Sequence, residues 1–89
     1  GSTVPADVIV LCTGYYPQQE LVRRALGEAI AAKVGKVWGI GPDGELSNMF
    51  KRTPQEGLWF IAGSLAQCRI YSKYMALQIK AIEEGLLKP

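Results

Sequence analysis

The chain contains no histidine. That absence excludes a histidine-based catalytic triad and the usual histidine-containing zinc sites. Cysteine is scarce as well: Cys12 and Cys68 are the only two, and they form no CxxC pair. Each sits in or beside an apolar run, which suits buried thiols of a reducing, cytoplasmic compartment better than a disulfide framework. No apolar run approaches the roughly 20 residues needed to span a membrane, and no signal peptide opens the chain. Charge of one sign is lacking too. Ten Lys and Arg face eight Asp and Glu, a net charge of +2, with no basic block or aromatic-interleaved basic stripe. A nucleic-acid partner is therefore not expected. Finally, no G-x-G-x-x-G turn is present. Gly39-Ile40-Gly41 comes closest, but it precedes a proline turn rather than a helix, so no element here can hold a dinucleotide pyrophosphate by that device.

What is present is one small domain's worth of chain. Its 89 residues are 48% hydrophobic, with aliphatic and aromatic side chains both represented, which argues against disorder. Gly1-Ser2 reads as the remnant of an expression tag, leaving residues 3–89 for the fold. The first apolar run begins directly after Pro5-Ala6-Asp7, and a start so abrupt suggests a piece cut from a longer protein.

One apolar run of five, Leu58-Trp59-Phe60-Ile61-Ala62, is closed by Gly63-Ser64. A continuous run of this length predicts a strand buried on both faces, as in parallel sheets. Val8-Ile9-Val10-Leu11, closed by Cys12-Thr13-Gly14, predicts a second. Between them, Pro17 suits a helix start, and Leu21, Val22, Ala25 and Leu26 have helical spacing up to Gly27. Ala29 to Val34 continues as a short helix ending at Gly35. Val37–Ile40, the turn Gly41-Pro42-Asp43-Gly44 and Glu45-Leu46 predict a small antiparallel hairpin. After a polar crossing, a last helix is expected from about Ser72 to Glu84, capped by Gly85. The expected fold class is therefore α/β, in the order β-α-β-hairpin-β-α, with Val8–Leu11 and Leu58–Ile61 as adjacent parallel strands joined by a right-handed crossover.

The last helix carries two apolar stripes. Met75, Ile79, Ile82 and Leu86 form one; Ile70, Tyr74, Leu77 and Ala81 form the other, about 140° away around the helix. A helix apolar on two sides expects cover from two directions. A sheet of this chain could supply one. The other implies missing structure, a dimer or an exposed patch.

Gly63-Ser64 admits two readings on residues alone: the plain end of a core strand, or a turn where backbone approaches a ligand closely. Thr13-Gly14 is open in the same way. Tyr71 and Tyr74 read first as packing mass, and Arg69 as a solvated charge.

Three segments together carry a resemblance. Asp7-Val8-Ile9-Val10-Leu11-Cys12-Thr13-Gly14-Tyr15 resembles the D-x-(apolar)-A-T-G-Y segment of class B flavoprotein monooxygenases, with Cys12 where alanine is commonest. Gly57–Ser64 with Tyr71-Ser72-Lys73 and Ala76–Ala81 is similar to the carboxyl-terminal segment of the same enzymes, and Gly44–Met49 fits the same group. The bacterial branch labelled as flavoproteins involved in potassium transport is the most similar. These enzymes include the flavin-containing, N-hydroxylating and Baeyer–Villiger monooxygenases.

The resemblance implies that residues 3–89 are the carboxyl-terminal part of a Rossmann-like FAD/NAD(P)-binding domain in a longer parent. It implies FAD and NADPH as cofactors of the parent, with one oxygen atom of O2 delivered to substrate through a flavin peroxide. It also implies that Thr13, Gly14, Gly63, Ser64, Ile70, Tyr71 and Ser72 would face the FAD, their backbone N–H groups and a helix start supporting negative charge at the flavin. Both glycine-rich fingerprints would lie before residue 1, so the piece alone should be inactive and bind FAD poorly. Its partners would be the remainder of the parent and, for the isolated chain, a second copy. Two other readings stay open at this point: a different two-dinucleotide-domain flavin reductase, and a small non-enzymatic α/β interaction module.

Overall fold

Three helices form where apolar spacing, caps and glycine stops agree, and the computed structural model describes them within the whole chain, Gly1–Pro89. Helix α1 spans Gln18–Leu26, after Pro17 in extended backbone. Gly27, at φ 95°, separates it from α2, Glu28–Val34. Gly35, at φ 73°, then ends α2. Helix α3 spans Leu65–Glu83. Gly85 N–H donates to the Ile82 carbonyl and Leu86 N–H to that of Ala81, the paired bonds of a Schellman stop with Gly85 in left-handed backbone.

The predicted α/β sheet is not there. The only β pairing is a single antiparallel bridge between Ile40 and Leu46. This overturns the Rossmann-like α/β expectation and its two adjacent parallel strands. Val8–Leu11 is neither helical nor paired, and each of its four side chains is 77–80% exposed. No hydrogen bond ties residues 1–16 to anything. Leu58–Ile61 pairs with no strand either. Its alternation decides its packing: Leu58, Phe60 and Ala62 lie against the core, while Ile61 is 52% exposed. The physical reason is one of supply. A strand apolar on both faces needs neighbours on both edges and a layer over each face. After the hairpin and three helices, this chain has nothing left to provide them.

The core is correspondingly small. Val34, Val37, Met49 and Phe50 are buried together, with Ile30, Leu46, Leu58, Phe60, Ala62 and Cys68 packed around them. The expected hairpin is its frame. Trp38 N–H donates to Ser47 O and Ser47 N–H to Gly39 O, while Gly41 N–H reaches Glu45 O. The turn closes with Gly44 N–H on Gly41 O at 3.0 Å, as proline at its second position favours. Asn48, at φ 54°, donates from Nδ2 to the carbonyls of Val34 and Lys36 at 2.9 and 2.8 Å. It thereby satisfies carbonyls that the end of α2 leaves without partners. Phe50 N–H bonds to Phe60 O, and Gln78 Nε2 on α3 reaches Phe50 O at 3.0 Å. Those two bonds hold the 58–62 segment and α3 on the same core.

Helix α3 begins seven residues earlier than expected, at Leu65 rather than Ser72. Its stripe Met75, Ile79 and Ile82 is half-buried, whereas Ile70, Tyr74 and Leu77 are 55, 59 and 67% exposed. The chain covers one side of α3 and leaves the other open. The accessible surface is 7146 Å², against about 5,100 Å² for a compact monomer of this mass. The radius of gyration is 17.7 Å, against about 12 Å expected for this length.

Candidate functional site

The start of α3 gathers two of the residues singled out from sequence, and its local chemistry is complete. Ser64 is the N-cap. Its Oγ accepts from Gln67 N–H at 3.2 Å, and its own N–H donates to Gln67 Oε1 at 2.9 Å. This reciprocal pair is a capping box, a signature legible in Ser64-x-x-Gln67 but hidden by the expectation of a later start. Cys68 N–H bonds back to Ser64 O. Of the first-turn amides, those of Leu65 and Ala66 keep no protein partner.

Gly63 sits at φ 101°, which alone favours glycine. A Cβ there would strike Gln67 Oε1 and come within 3.1 Å of the Trp38 ring. The glycine is thus required by the chain's own cap and by Trp38. The space in front of its Cα is filled from within rather than left as a cradle for a ligand.

Ile70, Tyr71 and Ser72 lie in the second turn of α3, not at its start. Helical geometry commits their amides to carbonyls four residues back, so they offer no backbone donors to a cofactor. Tyr71 packs its ring on Phe50, with centroids 5.4 Å apart, and lies 6.3 Å from the Tyr74 ring. Ile70 faces water and Ser72 is half-buried.

Thr13 and Gly14 stand apart from all of these, in the exposed amino-terminal segment. They line a shallow concavity with Tyr15, Tyr16, Pro17 and Leu21. Arg24 Cζ lies 4.5 Å above the Tyr16 ring, a cation–π contact that fixes where the segment leaves α1. The structure therefore brings Gly63 and Ser64 together, keeps Ile70–Ser72 on an already bonded helix turn, and leaves Thr13-Gly14 elsewhere. The seven residues do not assemble one FAD cradle.

Two concave surfaces escaped the sequence reading. One, of about 440 Å³, runs between the hairpin and α3 and is lined by Ile40, Leu46, Met49, Phe50, Tyr71 and Tyr74. The other, of about 200 Å³, lies between the 52–59 loop and α3, with Arg52, Trp59, Ile79 and Ile82 on its walls. Both join residues 20 or more positions apart, so no local pattern could have announced them. Trp38 carries a signal of its own only in three dimensions: it is at φ 73°, a costly conformation for a bulky residue, held by the hairpin bonds on either side.

Electrostatics add no acid–base pair. The Arg23 guanidinium, then that of Arg24, holds Glu20 down to about 2, and Glu20 in turn raises Arg23. The Glu45 N–H and then Lys51 keep the Asp43 carboxyl low, while Glu45 and then Asp43 raise Lys51. These are surface ion pairs at 2.5–3.4 Å, and none includes Ser64. No three His, Cys, Asp or Glu side chains are placed to hold a metal ion. No helix is long and apolar enough to cross a membrane. No protein-family model matches the chain, and no curated protein matches it.

Proposed function

We propose that this chain is the carboxyl-terminal part of an FAD- and NADPH-dependent monooxygenase, and that it supplies cover and framework to that enzyme rather than its chemistry. The observation that supports this reading most is the uncovered apolar surface. Val8–Leu11 leads straight into Thr13-Gly14-Tyr15 with its four side chains in water, and α3 keeps a second apolar side open. Both belong to the segments that resemble the flavoprotein monooxygenases, and both are what a part removed from its larger body would leave bare.

In this reading the groups that bind the two dinucleotides and move protons lie on the rest of the parent. The lack of histidine here and the confinement of every shifted pKa to surface ion pairs agree with that division of labour. Cytoplasmic location belongs to the same proposal, on the two free cysteines, Cys12 exposed and Cys68 half-buried. The partner is the remainder of the parent and, for the chain on its own, a second copy.

The test is to purify the product of the complete reading frame and record its visible spectrum. Bands of bound oxidised flavin that bleach on adding NADPH are expected. A colourless protein that consumes no NADPH would remove the proposal.

A further inference from the structure

The amino-terminal segment and the hairpin present matching unfinished edges. In the Ile40–Leu46 bridge the surrounding bonds run from Gly41 N–H to Glu45 O and from Ser47 N–H to Gly39 O. That pattern turns the N–H and C=O of Ile40 itself away from Leu46, toward the outer edge. There they make no hydrogen bond, and the Ile40 side chain is 65% exposed. An open edge of this kind is a template for another strand. Beside it runs the 440 Å³ groove floored by Met49 and Phe50 and walled by Tyr71 and Tyr74.

Val8–Leu11 has what that edge needs: backbone outside any helix, unpaired amides and carbonyls, and apolar, mostly β-branched side chains that alternate between faces once the segment is extended. It does not lie on its own hairpin. Pro17, in extended backbone at ψ 152°, and the Arg24 contact on Tyr16 direct the segment away from the body. The molecule is accordingly 62 Å long and only 31 and 24 Å across.

We infer that two copies of the chain exchange these segments. Val8–Leu11 of each protomer adds as a strand to the Ile40 edge of its partner, and alternate side chains enter the partner's groove. The area agrees. The surface is about 2,000 Å² larger per chain than a compact monomer's, so two chains have about 4,000 Å² to hide, within the span of obligate homodimers. A reciprocal exchange closes under twofold symmetry and leaves no edge for further growth. The inference rests on the reading of the chain as a part without its natural cover, but the two fail separately. A monomeric chain would leave the flavin spectrum of the full parent untouched, and a colourless parent would leave the dimer untouched.

The experiment is sedimentation equilibrium of the 89-residue chain from 1 µM to 1 mM, with three single variants at exposed positions and far-UV circular dichroism to confirm unchanged helix content. The wild-type chain is expected to be dimeric at tens of micromolar. Val10→Lys and Ile40→Lys are each expected to weaken association at least tenfold. Leu65→Lys, at an exposed apolar position off both surfaces, should leave it unchanged. A strictly monomeric wild-type chain overturns the exchange, whether the segment then stays free or folds back on its own hairpin. Association that survives Val10→Lys and Ile40→Lys, or that Leu65→Lys weakens equally, overturns it too.

Discussion

Residues 8–11 and residues 58–62 are the two most apolar runs of the chain, and they meet opposite ends. The later run is held by Phe50 N–H on Phe60 O and by Thr53 Oγ1 on Leu58 O. It buries Leu58, Phe60 and Ala62 against Met49 and Phe50. The earlier run, Val-Ile-Val-Leu, is just as continuously apolar and equally outside any strand, yet it touches nothing that would dry it. Apolar sequence states a demand for burial; where the demand is met depends on what the rest of the chain can bring to that place. In this molecule the hairpin, the end of α2 and α3 converge on the later run, and nothing converges on the earlier one.

The sharpest way to break this comparison is to remove one large side chain from each region. Phe50→Ala is expected to cost about 3–5 kcal/mol through loss of burial and the cavity left behind. In a domain this small that amounts to unfolding at room temperature. Ile9→Ala should leave the unfolding free energy of the dilute chain within about 0.5 kcal/mol of wild type. Urea titration followed by circular dichroism separates the two. Comparable costs would show that the amino-terminal run is docked after all.

A smaller effect tests how the body is tied together. Asn48→Ala removes two hydrogen bonds to the end of α2 and puts a less tolerant residue at φ 54°. A loss of about 1–3 kcal/mol is expected. Asn48→Gly should recover the backbone share of that loss but not the hydrogen bonds. Equal losses in the two variants would mean that the backbone angle plays no part.

Smaller again is the α3 cap. Ser64→Ala should cost about 1 kcal/mol, the usual worth of an N-cap hydroxyl, with fraying confined to Leu65–Cys68 in amide exchange. A Ser64→Ala chain of unchanged stability would show that α3 starts later, near the position first expected for it.

The smallest effect is acid sensitivity at α1. Glu20 is half-buried on the surface of α1, and its pKa is held down to about 2 by Arg23 and Arg24. Since the folded value lies below the unfolded one near 4.5, whatever the pairs contribute is present above pH about 4.5. It fades as the pH falls toward 2. Solvent screening keeps that contribution small. A carboxyl NMR titration should give a midpoint well below 4, and one near 4.5 would show that the pairs do not form in solution.

Local chemistry made much of the body legible in advance. Pro17, Gly27, Gly35 and Gly85 mark helix ends, and Gly41-Pro42-Asp43-Gly44 marks the turn of the hairpin. Each acts through the conformation of its own residues. The start of α3 was misplaced because Leu65-Ala66-Gln67-Cys68-Arg69 has no clean apolar stripe, although Ser64 and Gln67 carry the capping-box pair. The sheet was misjudged for a different reason. Two runs apolar on both sides fit a pair of buried strands, but periodicity does not reveal whether neighbours exist. Of the candidate site, Gly63 and Ser64 were identified as a special turn, and the structure accounts for both through Trp38 and Gln67. Ile70–Ser72 lost their candidacy as backbone donors once α3 began at Leu65. The groove beside Ile40 needed three separate segments to come together and had no local signature.

Amide hydrogen exchange on the dilute chain, below the concentration at which copies associate, tests the central claim most directly. The body, Leu46–Phe50 with the interior of α3, should be protected by the full stability of the fold, while the amides of Val8–Leu11 exchange at the rate of an unstructured peptide. Protection of Val8–Leu11 equal to that of the body, in a chain shown to be monomeric, would contradict the account, because the segment would then already have its cover.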